Sequence, residues 1–319
     1  MHLRILTVFF LSPFALAIPY SNLNSQKPLQ ELTWDVYLSP ALPVVTIPGQ
    51  NYSFSQTAIT LISGQNTAVL IDCPPTYTST GLLINWLDQK LGSKTLTQIY
   101  ITHGHGDHFF GLPILTAYYP GVQVIATPEV IAHALDQLLP GTAQPAEFWT
   151  AMFPSQLPAQ TQTWTSLPEN NTISLEGHSL HAIPVGFTDT YNSTILHVPD
   201  LDLVVAGDVV YGSYFQYLVE SHTAERRAEW MKALRIVEDL RPKFVVPSHM
   251  QEWDGFEFEH MERTRAYLQA WGTEVGNGKG VSKDGLKGMI ESAFPERKGD
   301  LILDLAAAAA APENAKRNL

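Results

Sequence analysis

The chain is short of cysteine, of positive charge and of long apolar runs. Cys73 is the only cysteine among 319 residues, so no internal disulfide can form and the core must hold the fold. Lys and Arg number 19 against 31 Asp and Glu, giving a net charge of −12. No basic stretch offsets that acidity, which argues against a nucleic-acid or anionic-membrane partner. The apolar run at residues 5–17 is too short to span a bilayer and contains Pro13, and no later segment is long and apolar enough. Repeats of the solenoid kind are absent as well. With 45% hydrophobic residues, the length still allows one large domain or two small ones with ample core.

The 5–17 run follows Arg4 and ends in Ala15-Leu16-Ala17, small residues suited to cleavage. It reads as a secretory signal peptide over 1–17, cut after Ala17, and predicts a secreted protein; an uncleaved N-terminal anchor is the alternative. Sequons at Asn51-Tyr52-Ser53, Asn170-Asn171-Thr172 and Asn192-Ser193-Thr194 mark exposed loops and glycosylation if the chain enters a eukaryotic secretory path. Residues 18–50, with prolines and serines and weak periodicity, read as a lead-in wrapping the surface. The main domain spans 51–300, and 301–319, with its 306–311 alanine run, reads as a low-complexity frayed tail.

Within the domain, 57–62 and 67–71 read as strands joined by a hairpin turn. Leu82, Leu83, Trp86, Leu87 and Leu91 recur at helical spacing. A helix over 109–119, a strand at 122–126 and a helix from Pro128 to 138 follow. Residues 139–171 are irregular, with five prolines and Phe148, Trp149, Met152, Phe153 and Trp164, either a pocket wall or the edge of a core. Strands resume at 172–176, 179–184, 193–198 and 202–206. A helix carrying Trp230, Ala233, Leu234, Val237 and Leu240 stops at Pro242, and a strand at 244–246 leads to His249. Helices at 256–272 and 282–294 complete an alternating α/β pattern.

Directly after the apolar Ile99-Tyr100-Ile101 stands Thr102-His103-Gly104-His105-Gly106-Asp107-His108. Three imidazoles and a carboxylate in six residues are ligands that a borderline divalent ion such as zinc prefers. On extended backbone His103, His105 and Asp107 point one way, while His108 faces elsewhere toward a second ion. A surface loop that happens to be His-rich is the bland alternative. Asp208 ends the apolar Val204-Val205-Ala206-Gly207, and His249 follows Phe244-Val245-Val246-Pro247-Ser248, so both sit at strand ends where ligands gather. Cys73, also at a strand end, is either a small buried residue or a thiol close enough to poison a metal site.

His103-Gly104-His105-Gly106-Asp107-His108 resembles the H-x-H-x-D-H signature of the metallo-β-lactamase superfamily, and 57–249 fits that family's layout. The resemblance implies a four-layer αββα sandwich and one or two zinc or other divalent ions. It further implies ligands at His103, His105, Asp107, His108, Asp208, as a bridge between the ions, and His249. The family's G-H-T turn aligns with Gly186-Phe187-Thr188, so a phenylalanine stands where a ligand histidine belongs. Asp189, two residues on, is either a replacement or a residue that bonds the turn backbone. His178, His181 and His197 lie on flanking strands and read as strand-surface histidines.

The chemistry implied is metal-assisted hydrolysis with Asp107 as the catalytic residue, orienting the attacking water and shuttling its proton. The expected substrate is a small neutral ester, lactone or lactam, because aromatic residues suggest an apolar pocket and no basic cluster exists to hold phosphate. Tyr211, Tyr214, Phe215 and Tyr217 either line that pocket or form an aromatic layer beneath it. Three outcomes stay open. They are a one-metal hydrolase, a two-metal enzyme with a rebuilt first site, and a binding protein that keeps a vestigial or structural metal site.

Overall fold

The computed structural model describes residues 31–45, 51–142, 144–277 and 282–311. The expected signal peptide, residues 18–30 and 46–50 of the lead-in, and the tail beyond 311 lie outside the described residues. The first half of the chain contains β1 (Thr33–Leu38), β2 (Leu42–Pro43), β3 (Ser53–Phe54), β4 (Ala58–Ser63), β5 (Thr67–Ile71), α1 (Tyr77–Leu91) and β6 (Thr95–Tyr100). There follow α2 (Gly106–Phe109), α3 (Leu112–Tyr118), β7 (Gln123–Ala126), α4 (Pro128–Asp136), α5 (Ala146–Met152) and β8 (Trp164–Ser166). The second half contains β9 (Thr172–Leu175), β10 (His178–Gly186), β11 (Ser193–Val198), β12 (Leu203–Val205), α6 (Ala224–Asp239) and β13 (Phe244–Val246). Three helices close the described residues: α7 (Glu259–Asn277), α8 (Lys283–Ala293) and α9 (Asp300–Ala310).

One large sheet runs β1-β4-β5-β6-β7-β8 and a second β13-β12-β11-β10-β9, while β2 and β3 form a separate two-stranded ribbon. Alternation along single strands explains how the two large sheets stack. Ala68 and Leu70 of β5 face an outer core with Leu83 and Leu87 of α1 and Leu112 of α3, whereas Val69 and Ile71 face the other sheet. Leu196 and Val198 of β11 and Leu203 and Val205 of β12 meet them there. The opposite faces, with Ile195, Val204 and Val245, pack on Trp230 and Leu234 of α6 and Trp271 of α7. Three separate cores therefore lie between four layers, helices–sheet–sheet–helices, and the fold is the αββα sandwich that the sequence resemblance implies. Strands covered on both faces, such as β5 beyond Thr67 and β12, are apolar residue after residue, and this is why they read as continuous hydrophobic runs.

Four local expectations are corrected. Residues 33–38 are not loose lead-in but an edge strand antiparallel to β4, from Thr33↔Ser63 to Leu38↔Ala58, with its side chains only part-covered. The helix expected over 109–119 breaks into α2 and α3 at Gly111, whose absent Cβ would lie 2.4 Å from Pro74 O. The irregular 139–171 stretch contains α5 and the strand β8, which pairs parallel with β7. Residues 301–310 are a packed helix, with Leu301 and Ile302 in one outer core and Leu303, Ala306, Ala307 and Ala310 in the other.

The layering places the site. β5 and β6 run parallel, as do β12 and β13, and each of the four ends in a loop that carries a polar or ligand-type side chain. Such convergence at carboxyl ends of strands is where open α/β sheets bind ligands.

Candidate metal centre

The backbone leaves β6 at Tyr100 and turns back into α2, so Thr102 and the two following histidines occupy the seam between the sheets. Thr102 O accepts from Thr194 N at 3.0 Å and from Thr194 Oγ1 at 2.6 Å, tying that seam to β11. The two motif glycines are steric requirements. A Cβ on Gly104 would lie 2.5 Å from the His133 ring, and one on Gly106 would lie 2.6 Å from Phe110. From Gly106 onward the motif is helical rather than extended. Asp107 therefore leaves the side shared by His103 and His105 and groups with His108 and His249, a correction to the spacing argument.

All six expected ligands converge, and each is at most 4% exposed. Donor atoms of His103, His105, Asp189 and Asp208 lie within 4.8 Å of one another, as do those of Asp107, His108 and His249. Asp208 connects the groups, its Oδ1 3.1 Å from His108 Nε2 and its Oδ2 3.5 Å from His249 Nε2. It is carried on the turn after β12, which Trp230 fixes by donating Nε1–H to Val209 O at 2.9 Å.

Every imidazole is held from outside. His108 Nδ1 donates to Asp72 Oδ2 at 2.9 Å, His249 Nδ1 to Gln56 O at 2.9 Å, and His105 Nε2 to Glu220 Oε1 at 2.9 Å. The Thr102 hydroxyl proton goes to Asp72 Oδ2, so His103 Nδ1 must donate to Thr102 Oγ1, at 3.0 Å. The opposite ring nitrogens then turn inward, the arrangement that fixes tautomer and aim in metal-binding histidines. Among the inward atoms, His103 Nε2, His108 Nε2, Asp189 Oδ2 and Asp208 Oδ1 are buried with no hydrogen-bond partner in the protein. Buried polar atoms rarely go unsatisfied, and imidazole nitrogens with carboxylate oxygens fit a divalent cation.

The imidazoles and carboxylates of the cluster set one another's ionisation. Burial opposes ionisation of Asp107, but the imidazoles of His108 and His249 outweigh it and hold the carboxyl well below its usual range. The same imidazoles overcome burial at Asp208. Burial also opposes charge on His249, yet Asp208 and Asp107 raise it to about 10. At Asp189 burial and then the Asp208 charge push the carboxyl up to about 6.

Asp189 comes inward by a route the sequence does not show. The β10–β11 pairing shifts register between Pro184 and Gly186, and Gly186 takes φ +85, so the following residues leave the strand path. Phe187 consequently turns out under the Arg226 guanidinium, 4.1 Å from its ring centroid, and does not share a face with Asp189. Asp189 is fully buried; its Oδ1 accepts from Thr188 Oγ1 at 2.7 Å while Oδ2 points into the cluster. The other histidines stay apart: His181 faces His197 across the β10–β11 pair, and His178 is buried against Asp200 rather than lying on the strand surface. Cys73 is wholly buried in an outer core, and burial pushes its thiol up, so it is inert.

Sequence reasoning missed Asp72, Glu220 and His133. Asp72 ends the apolar run of β5 just as Asp208 ends that of β12, so the same signal was there to find. Glu220 and His133 carry no local signal, because they reach the site only through the tertiary fold.

Beside the cluster lies a narrow cleft lined by Phe54, Phe148, Tyr217 and Ile302 with Ser55, Gln144 and Tyr211. Tyr211 donates its hydroxyl to Asp208, and burial followed by the Asp208 charge keeps the phenol protonated. Both readings of the 139–171 stretch hold in part: Gln144 and Phe148 line the cleft, and Trp149, Met152 and Phe153 fill the core. The aromatic run after Asp208 divides likewise, Tyr211 and Tyr217 lining the cleft and Tyr214 and Phe215 packing below.

The chain matches the family model of the metallo-beta-lactamase superfamily over residues 52–249. Among solved structures, a beta-lactamase domain protein from Burkholderia ambifaria superposes with a TM-score of 0.59 at 17% identity, over 88% of this chain and 86% of that one. A metallo-beta-lactamase family protein from Thermus thermophilus gives 0.58 at 16%, over 89% and 94%. The metallo-beta-lactamase from Pontibacter korlensis gives 0.53 at 18%, over 75% and 99%. At such identities the likeness is one of fold. No curated protein sequence matches the chain significantly.

Proposed function

The chain belongs to the metallo-β-lactamase superfamily, and from that premise we propose that it is a secreted, zinc-dependent hydrolase of a small neutral ester, lactone or lactam. One observation carries the reading: buried imidazole nitrogens and carboxylate oxygens, each braced from behind, turn unpartnered atoms toward one another at the floor of an open cleft. His103, His105 and Asp208 would hold one ion, and Asp107, His108, His249 and Asp208 the other. Bound zinc supplies hydroxide near neutral pH, by lowering the pKa of water to about 7, and polarises a carbonyl.

The chain's own residues supply the rest. Asp107, at the cleft floor, orients the attacking water and passes its proton on. Tyr211 lines the cleft floor and, by donating its phenol proton to Asp208, orients that carboxylate toward the cluster. Phe54, Phe148 and Ile302 form an apolar wall for the acyl part, and Gln144 and Ser55 offer polar contacts. No Lys or Arg lines the cleft, which favours an uncharged substrate over a carboxylate or phosphate. Secretion is supported by the N-terminal sequence pattern and by exposed sequon residues Asn51 and Asn170.

Turnover of a chromogenic ester and lactone panel by the zinc-loaded protein tests the reading. Asp107→Ala and His249→Ala should each lower kcat/KM by about 10²-fold or more. A protein that holds no metal and turns over nothing, with or without added zinc, is instead a binding protein with a vestigial site. Mass analysis of the secreted chain should find it starting at Ile18.

A further inference from the structure

We propose that Asp189 is a metal ligand, replacing the imidazole that Phe187 cannot supply. It makes the first ion position a site of two histidines and two carboxylates that takes an oxygen-preferring ion such as Mn²⁺ readily beside zinc. The proposal rests on the hydrolase reading only in placing the metal at this cleft.

Three observations carry it. Asp189 is fully buried, and its Oδ2 meets no donor in hydrogen-bond geometry although His105 Nδ1 is 2.8 Å away and His103 Nε2 3.7 Å. Asp208, itself buried, brings a second carboxylate oxygen to within 4.8 Å of those atoms, and its Oδ1 is also unpartnered. Two buried carboxylates facing each other repel, and a cation between them is what reverses the sign. Finally, the loop is shaped to this aim: the register shift at Gly186 sends Phe187 outward, and Thr188 Oγ1 anchors the other oxygen of Asp189 at 2.7 Å.

The exchange changes the character of the site. With Asp189 the two positions share three carboxylates and four imidazoles, and the first gains a second carboxylate while the second is unchanged. Carboxylate in place of imidazole moves preference away from zinc, copper and nickel toward harder ions. It also brings one more negative charge to the pair of cations, so the doubly loaded state is favoured over the singly loaded one.

The test is metal binding, followed by calorimetry and metal analysis on the full chain stripped by chelator, with Zn²⁺ and Mn²⁺ as probes and Co²⁺ absorbance to distinguish the positions. The native protein should bind two ions. Asp189→Ala and the isosteric Asp189→Asn should each lose the first, with the Co²⁺ spectrum of the second position unchanged. Asp189→His should keep two and raise the zinc-to-manganese affinity ratio at the first position by about tenfold or more. Two ions bound unchanged in both Asp189→Ala and Asp189→Asn overturn the proposal, as does a native protein that binds only one. Neither result depends on turnover: two ions without hydrolysis removes the enzyme and keeps this ligand, whereas one ion with hydrolysis does the reverse.

Discussion

Single residues around the cluster matter mostly through what they brace. Asp72 accepts from Thr102 N at 2.8 Å, from the Thr102 hydroxyl at 2.8 Å and from His108 Nδ1 at 2.9 Å. It does so at φ +64, a conformation that Asn tolerates, so Asp72→Asn tests the brace without straining the backbone. The expected result is a 10–100-fold, order-of-magnitude loss of metal affinity, read by calorimetry, with little change in Tm. Gly104 is a matter of space. Its Cβ would meet His133 at 2.5 Å and Ala134 N at 2.8 Å, so Gly104→Ala should cost about 1–3 kcal/mol in urea unfolding. His133→Ala added to it should return part of that loss, since one of the two clashes is removed. An unchanged Gly104→Ala protein would mean that the motif bends elsewhere.

Elements join the layers at points that the sequence marks unevenly. Glu176, in the β9–β10 turn, accepts from Gln65 N at 2.8 Å and from Asn66 N and Thr67 N at 2.7 Å, tying one sheet's hairpin to the other's. Those backbone donors, Asn66 first, lower its carboxyl to about 2. A depressed folded pKa means that its stabilisation is complete above the unfolded value and fades as pH falls toward about 2. Native protein should therefore lose Tm between about pH 5 and 2 more steeply than Glu176→Gln, and parallel curves would contradict the contact's role. For α9, Leu303 is fully buried among α6–α8 residues, and Leu303→Ala should cost about 2–5 kcal/mol in the same unfolding measurement. Much of the frame was legible, because strands buried on both faces announce themselves as unbroken apolar runs. α9 was not, since an alanine run carries little hydrophobic contrast even when neighbouring helices bury it. Nor was the turn of Asp107 legible, because α2 is four residues long and is fixed by packing against Phe110 and Trp149 rather than by periodicity. Asp189 could be suspected but not aimed, since its direction comes from a register shift.

At the scale of the whole molecule, four layers bring four strand ends to one rim, and the cleft opens there beside the loops that follow them. The family model ends at residue 249, yet Ile302 of α9 lines the cleft, so that helix contributes to the pocket from outside the matched region. A net charge of −12 and a cleft with no Lys or Arg both disfavour anionic substrates. We propose that the buried cluster, once loaded with metal, hydrolyses a neutral acyl compound. It is tested most directly by following lactone and ester hydrolysis while the protein is stripped by chelator and then refilled with zinc. The rate should fall to background on stripping and return in proportion to the zinc bound. A rate indifferent to stripping, or no turnover of any ester, lactone or lactam with the metal restored, would contradict it.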